Sequence, residues 1–218
     1  RDRSVSRGLG DVYKRQALVA QIFGAVIFVV NGIGIAMTRE LGPLMTAILF
    51  AGRSGSAFAA QLGTQKVNEE LNALTTFGLS PMYFLVVPRL IASSLVVPLL
   101  SVFATILGIL GGGLVMAMYD ITYTQFYVQL LKSVTVTDIV FGLVKAVIFG
   151  FVIALIGCQC GMNTGAGAAA VGSSTTKSVV KSIIWIVVID GAAALLTNRL
   201  GICLLYTSPS PRDTERSR

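Results

Sequence analysis

Four apolar stretches, each long enough to cross a lipid bilayer, constrain this chain more than any other feature of its sequence. A membrane-spanning helix needs about 20 apolar residues. The stretches run over Ala25–Gln61, Met82–Met118, Ile139–Gly161 and Val179–Leu200. Charged residues make up 12% of the chain, against about 25% in a soluble domain. The sequence therefore predicts an all-α integral membrane protein, with about four transmembrane helices in this fragment.

Both ends of the chain differ from this apolar middle part. Residues 1–16 and 203–218 are polar and aperiodic, and the pieces GDVYKRQ and LLYTSPSPRD resemble translated sequencing-adapter sequence. We therefore expect two non-native tails around one membrane domain, residues 17–202, whose natural N-terminal part is missing. The tails also carry most of the net charge of +7. Because no basic patch interleaved with aromatic residues occurs, nucleic acid binding is not expected.

Ionisable residues interrupt the apolar stretches at five positions. They are Arg39, Glu40, Arg53, Lys145 and Asp190. A charge at the bilayer centre costs at least about 2.5 kcal/mol, so such residues face one another or a wet cavity. We predict that all except Arg53 form one intramembrane network at a bend imposed by Pro43, whereas Arg53 extends toward the headgroups. Such a network fits a clasp that fixes helix register as well as a transport path.

Residues 64–81 form the only long charged connector between apolar stretches, and they predict an amphipathic helix of about ten residues. Asn68 is expected to be its N-cap, Glu69 and Glu70 complement the positive end of the helix, and Gly78 ends it. The apolar residues of this helix fall on one face: Val67, Leu71, Leu74 and Phe77. The helix either rests on lipid headgroups or serves as a handle for a cytoplasmic partner.

Small residues recur at helical spacing in two places. Gly52, Ser56 and Ala60 follow one another at four-residue intervals, which fits packing within one subunit as well as a dimer seam. Gly108 and Gly112 form a G-x-x-x-G pattern, which we interpret as close helix packing.

Loop charges predict the orientation of the chain in the membrane. The connectors on one side, with the adjoining ends of the spans, carry Lys66, Arg89, Lys177 and Lys181, whereas the tyrosine-rich loop 119–138 between them carries only Lys132. By the positive-inside rule the first side is cytoplasmic. The tyrosine-rich loop, which is expected to hold a short surface helix, is then outside.

Catalytic and cofactor chemistry is not expected of this chain. Histidine is absent, and Cys158 and Cys160 have no second cysteine pair with which to bind zinc. The segment Gly167–Ser174 resembles a phosphate-binding loop, but Ser173 stands where that loop requires lysine. We therefore expect no metal, no cofactor and no nucleotide site of that kind, and any ATP hydrolysis falls to a partner.

The charged stretches together resemble a known family. The segments are RELGPLMTAILFAGRSGSAFAAQLGTQKVNEELNALTTFGLSPMYFLVVPRLIA (Arg39–Ala92), VGSSTTKSVV (Val171–Val180) and the later Asp190. They are similar to the MlaE/YrbE family of ABC-transporter permeases, and the likeness covers about Phe23–Leu196. Two positions depart from the family pattern, with Gln61 in place of an acidic residue and Gln65 in place of methionine.

The resemblance implies a homodimeric, multi-pass permease of the bacterial inner membrane. Such a permease moves phospholipids between that membrane and a periplasmic route, which maintains the lipid asymmetry of the outer membrane. The implied partners are a cytoplasmic ABC ATPase, a periplasmic MCE-domain protein, in some systems a STAS-domain protein, and a second copy of the chain.

Carried over by position, the Asn68–Phe77 helix would be the coupling helix that docks on the ATPase. Arg39, Glu40, Lys145 and Asp190 would lie near the lipid cavity. A different class stays open on the residues alone: a secondary transporter or channel driven by an ion gradient, with the charge network as a proton relay.

Overall fold

The structure of the chain, a computed structural model, describes residues 28–118 and 122–199, with side chains up to Thr197. The two predicted tails, the first residues of the stretch that starts at Ala25, and Tyr119 lie outside the described residues. Every regular element within the described ranges is a helix.

Six helices follow one another along the described chain. They are α1 (Phe28–Val67), α2 (Glu70–Thr76), α3 (Met82–Ala117), α4 (Tyr123–Ser133), α5 (Val136–Met162) and α6 (Ala168–Arg199). Four of them, α1, α3, α5 and α6, are long and apolar enough to cross a membrane. The predicted all-α fold with four transmembrane helices is therefore confirmed.

The chain divides into two compact units. The first contains the described residues up to Gly42 together with Phe103–Gly142. Its buried core consists of Val30, Met116, Phe126 and Leu130. The last two come from α4 and are four residues apart, so they lie on one face of that helix. The short helix predicted within the tyrosine-rich loop is thus present and packs by one face.

The second unit contains Pro43–Val102 and the described residues from Leu143 onward. Its main core cluster is made by Ala47, Phe50, Ala51, Val97, Ala146, Phe149, Ile153 and Ile186. Glycines on α5 bring its backbone against α1 and α3. A Cβ atom at Gly150 would lie 2.6 Å from the carbonyl oxygen of Ser93, and one at Gly157 would lie 2.8 Å from that of Gly55. These helices therefore pack through main-chain contact.

Along α1, small residues recur at every fourth position, and all five are buried. They are Ala47, Ala51, Gly55, Ala59 and Gly63. In a regular α-helix a four-residue repeat drifts around the axis by about 40° per step. A π-helical turn over Ala51–Gly55, in which the amide of Ser56 donates to the carbonyl of Ala51, adds one residue to a turn and offsets about 100° of that drift. The repeat therefore stays on the buried side.

Helix α6 begins at Ala168, well before the span predicted from Val179. Residues 162–178, which are rich in Gly, Ala, Ser and Thr, are therefore helical over most of their length. Their hydroxyl groups bond back to the helix itself, as Thr175 Oγ1 does by donating to the carbonyl of Gly172 at 2.7 Å. The helix begins with alanine, the strongest helix former. The turn before it contains Gly167, whose φ of +92° is one that glycine adopts without strain.

Candidate functional site

Both arginines of α1 lie in π-helical turns, Arg39 in Met37–Leu41 and Arg53 in Ala51–Gly55. In the first turn the amide of Gly42 donates to the carbonyl of Met37, five residues back. Pro43 follows directly and has no amide to donate. A π turn, a feature that is frequent at functional sites, therefore directly precedes this proline. The bend expected at Pro43 stays a prediction.

The Arg39 side chain is buried and contacts Asp138 and Phe141 at the start of α5. Its Nη1 donates to Oδ1 of Asp138 at 3.3 Å, with 3% of the arginine side chain and 13% of the aspartate side chain exposed. The guanidinium carbon lies 4.9 Å from the ring centroid of Phe141. A carboxylate and an aromatic face together compensate the loss of water around this cation.

Asp138 also caps α5. Its Oδ2 accepts a hydrogen bond from the backbone amide of Thr135 at 3.1 Å, while its Oδ1 accepts from Arg39. Asp138 is not among the predicted site residues, because the sequence pattern places it at the end of the outer loop. The available signal was the spacing: a threonine followed three residues later by a carboxylate, before an apolar run, is a capping-box pattern.

A second buried ion pair lies in the second unit. Lys145 on α5 donates from Nζ to Oδ1 of Asp190 on α6 at 2.9 Å, with 2% and 21% of the two side chains exposed. Two residues of the predicted four-residue network are thus in direct contact. Glu40 is partly buried in the first unit. The predicted role of all four beside a lipid cavity stays a prediction.

Arg53 differs from the other intramembrane charges because its side chain is exposed. Among the residues with described side chains, it has no ion-pair partner. Its predicted extension toward the headgroups stays a prediction.

The connector helix α2 is shorter than predicted, and the proposed N-cap is wrong. Asn68 closes α1, with its amide donating to the carbonyl of Thr64. Glu69 is the N-cap of α2 and adopts a left-handed conformation with φ of 61°. Because these two residues form the turn between the helices, only Glu70–Thr76 remains for α2. Sequence patterns do not locate such boundaries well, since a polar residue can cap either helix.

The C-terminal end of α2 follows the prediction. Gly78 has a φ of +76°, its amide donates to the carbonyl of Thr75, and the amide of Leu79 donates to that of Leu74. This is a Schellman motif. The apolar face is divided: Leu71 is buried at 9% exposure, whereas Phe77 just after α2 is 80% exposed. Leu71 is the residue of α2 that is buried, and Phe77 leaves a large apolar side chain exposed next to that helix.

The two small-residue patterns lie in different surroundings. Within the first unit, Gly108 is in contact with Met37, and a Cβ atom at Gly112 would be 2.9 Å from Cγ2 of Ile33. On α1, by contrast, Gly52 is exposed, and a Cβ there would have no neighbour within 4 Å. Ser56 and Ala60 are partly exposed. We call these last three positions the open stripe of α1 (Gly52, Ser56, Ala60).

For metal chemistry, the described residues offer no group of three Cys, Asp or Glu side chains that could hold an ion. The first unit thus contains one buried ion pair. The second unit contains another, together with an exposed arginine in a π turn and the connector helix α2. Buried ion pairs of this kind can fix helices against one another.

The sequence profile of the family described as Permease MlaE matches residues 10–196. The chain belongs to this family. Among curated relatives of this MlaE permease, a protein of Synechocystis sp. named "Probable ABC transporter permease protein" is 40% identical over 163 residues, 74% of this chain and 62% of that protein. A protein of the same description from Rickettsia typhi is 37% identical over 168 residues, 76% and 64% of the two chains.

A further relative is the Arabidopsis thaliana protein named "TRIGALACTOSYLDIACYLGLYCEROL 1, chloroplastic". It is 38% identical to this MlaE permease over 159 residues, 72% of this chain and 45% of that protein. The chain thus spans less than two thirds of the length of the relatives it matches. Its family and its four candidate spans make it a multi-pass membrane protein of the ABC-permease type.

Proposed function

We propose that this chain is the permease subunit of an ABC transporter that moves phospholipids between the bacterial inner membrane and a periplasmic route of MCE-domain proteins. Transport of this kind would maintain the lipid asymmetry of the outer membrane. The observation that carries the proposal is the match to Permease MlaE over residues 10–196. A relative that bears the name of a galactosylated diacylglycerol favours a lipid as the cargo.

In this proposal a cytoplasmic ABC ATPase hydrolyses ATP and docks on α2. The buried Leu71 anchors the helix in the second unit, and the exposed Phe77 is offered to the partner. An apolar anchor of this kind contributes to binding when it fills a groove from which water is excluded. In some systems a STAS-domain protein would complete the cytoplasmic side.

Two copies of the chain are proposed to form the transport unit. The open stripe of α1 would allow a second helix to approach closely, since residues this small let backbones meet. Closure of the ATPase dimer would push α2. The push would reach α1 through the two-residue turn at Asn68 and Glu69, and would alter the lipid-holding cavity between the copies.

The experiment uses Phe77→Asp in a chain co-expressed with an ABC ATPase of an MlaE-type transporter. Loss of a central aromatic anchor costs about 2 kcal/mol or more, so ATPase binding should weaken roughly thirtyfold. Tyr127→Asp on α4 is the control, because that side chain is 60% exposed and lies outside the proposed contact. The measurement is the ATPase retained per permease after affinity purification.

Transport is measured in the same system, as ATP-dependent transfer of a fluorescent phospholipid from proteoliposomes. The control variant should transfer lipid at the wild-type rate and Phe77→Asp should not. Full ATPase retention by Phe77→Asp, or transfer that does not require ATP, would contradict the proposal.

A second candidate is transport driven by an ion gradient, which the buried Lys145–Asp190 pair favours. Paired ionisable side chains within the membrane can relay protons. In that case Asp190→Asn should abolish transport driven by a pH gradient in liposomes without ATPase. ATP-dependent transfer by Asp190→Asn would exclude the relay.

A further inference from the structure

A polar cavity of about 450 Å³ lies where α5 ends and α6 begins. Gln159, Cys160, Asn163 and Thr164 line it from the end of α5 and the turn that follows. Ser173, Ser174, Lys177 and Lys181 line it from α6. We call it the α5–α6 pocket. All of its lining residues belong to the second unit.

The lining of the α5–α6 pocket is cationic. Lys177 and Lys181 are four residues apart and therefore lie on one face of α6, together with Ser173 and Ser174 one turn earlier. Neither lysine has an ion-pair partner among the side chains that the structure describes, and no carboxylate lines the cavity. Two positive charges thus face a concave space without a counter-charge.

Several neutral donors accompany the lysines. The side-chain amides of Gln159 and Asn163 and the hydroxyl of Ser173 are exposed at the pocket and form no hydrogen bond within the described part of the chain. Thr164 and Ser174 are not counted, because their hydroxyls donate to the carbonyls of Cys160 and Val171.

The helix dipoles at the end of α5 and the start of α6 are also compatible with an anion in the pocket. The positive end of the α6 dipole lies at the start of this helix and favours an anion nearby. The carbonyl of Met162 at the end of α5 already accepts a hydrogen bond from Nζ of Lys66 at 2.7 Å, which offsets the negative end of that helix.

The lysines of the pocket lie near the start of a candidate membrane span. The apolar run of α6 starts at Val179. Lys177 lies two residues before it, and Lys181 lies two residues into it. The loop charges assign this end of α6 to the cytoplasmic side. Lysines at the start of a span lie level with the phosphate groups of the adjacent leaflet.

We propose that the α5–α6 pocket binds the phosphate group of an anionic phospholipid from the cytoplasmic leaflet. The two lysines neutralise the phosphate, and the side chains of Asn163, Gln159 and Ser173 donate hydrogen bonds to its oxygens. The bound lipid holds the loop between α5 and α6 at the membrane surface. The site does not depend on the transport reaction proposed above, because the permease alone should bind the lipid.

The test uses the purified permease in detergent, with native mass spectrometry to count bound lipid during titration with phosphatidylglycerol, phosphatidylcholine or inorganic phosphate. Each lysine removed should weaken phosphatidylglycerol binding roughly fivefold, so Lys177→Gln with Lys181→Gln should weaken it about 25-fold. Lys177→Arg with Lys181→Arg keeps both positive charges and should bind phosphatidylglycerol as the wild type does. Lys132→Gln, which removes an exposed lysine on α4, should change nothing.

A second variant separates a pocket from a general basic surface. Ser173→Leu fills the cavity and keeps both lysines, so it should reduce phosphatidylglycerol binding while the midpoint of thermal unfolding in detergent stays within about 2 °C of the wild type. Equal lipid binding by Ser173→Leu and the wild type would overturn the proposal, as would equal binding of phosphatidylcholine and phosphatidylglycerol.

Two further outcomes would assign the pocket to another ligand. If inorganic phosphate displaces the lipid at the lipid's own affinity, the ligand is free phosphate. If Ser173→Leu loses the ATPase in co-purification and keeps its lipid binding, the pocket is a docking site for the ATPase. Either result would overturn the lipid assignment and leave the test of Phe77 unaffected.

Discussion

Replacing Gly150 by alanine tests how α5 holds the second unit together. A Cβ atom at this position would lie 2.6 Å from the carbonyl oxygen of Ser93 and 3.1 Å from Cβ of Val97, both on α3. Ordinary contact begins at 3.4 Å. Because the carbonyl belongs to the backbone of a helix, it cannot rotate away, and the two helices must move apart by nearly an ångström.

The magnitude follows from two opposed effects. A gap of that size removes a quarter to a half of each van der Waals contact along the seam, and overpacking of a core typically costs about 1–3 kcal/mol. Alanine in place of glycine stabilises a helix by about 1 kcal/mol. The net expectation for Gly150→Ala is a loss of about 1 kcal/mol, and at most about 2 kcal/mol, in the free energy of unfolding. Gly157→Ala, which faces the carbonyl of Gly55, should behave alike.

The assay is unfolding of the purified permease in mixed micelles by sodium dodecyl sulfate, followed by loss of helical circular dichroism. The matched control is Gly172→Ala on α6, where an added Cβ has no neighbour within 4 Å, so it should be neutral or stabilising. If Gly150→Ala and Gly172→Ala unfold at the same detergent fraction, α5 and α3 do not pack through their backbones and the reasoning is wrong.

Two other predictions use the same unfolding measurement, and a third measures dimer association. Lys145→Met and Asp190→Asn should each destabilise the permease, by up to about 3–5 kcal/mol, and the double variant should lose less than the sum, since only single variants leave a buried charge without this partner; additive losses would contradict the pairing. Asp138→Ala should be about 1 kcal/mol less stable than Asp138→Asn, because both break the ion pair with Arg39 but only asparagine keeps an oxygen for the cap; equal stabilities would exclude a capping role. Gly52→Leu should leave the monomer as stable as the wild type and weaken the dimer in analytical ultracentrifugation, since its side chain enters the open stripe; an unchanged dimer would place the seam elsewhere.

Apolar length and charge placement were sufficient to predict the spans. Each of the four stretches had to be a helix, because only a helix satisfies its own backbone hydrogen bonds in lipid. The Schellman end of α2 at Gly78 was also predictable, since glycine adopts positive φ without strain. Both features depend on local chemistry, which the sequence contains.

Partners in space were harder to predict. Counting charges inside the apolar stretches omitted Asp138, because it stands at the edge of its stretch, where a carboxylate is ordinarily hydrated. Which residue Arg39 meets depends on how the first turn of α5 is placed, and no local pattern specifies that. The capping-box spacing of Thr135 and Asp138 would have identified the carboxylate as a helix cap, but it does not predict that Arg39 is the partner.

Which small-residue face of α1 packs within the subunit was not predictable for a related reason. Gly52, Ser56 and Ala60 and the buried set at Gly55, Ala59 and Gly63 have the same four-residue spacing, and periodicity alone does not separate them. The buried set is the longer one, since it continues back to Ala47. A run of five small residues at a strict interval of four is the distinguishing signal, because an α-helix of 3.6 residues per turn cannot keep it on one side without a π turn.

That π turn has a consequence for insertions and deletions during the evolution of the family. The turn at Ala51–Gly55 is equivalent to one residue inserted into an α-helix. Deleting one residue there would restore regular geometry locally and rotate every later side chain of α1 by about 100°, taking Ala59 away from α5 and Gly63 away from Thr164. A relative that keeps the four-residue interval should therefore keep the π turn. A relative with a one-residue gap at this point needs compensating changes on the facing side of α5.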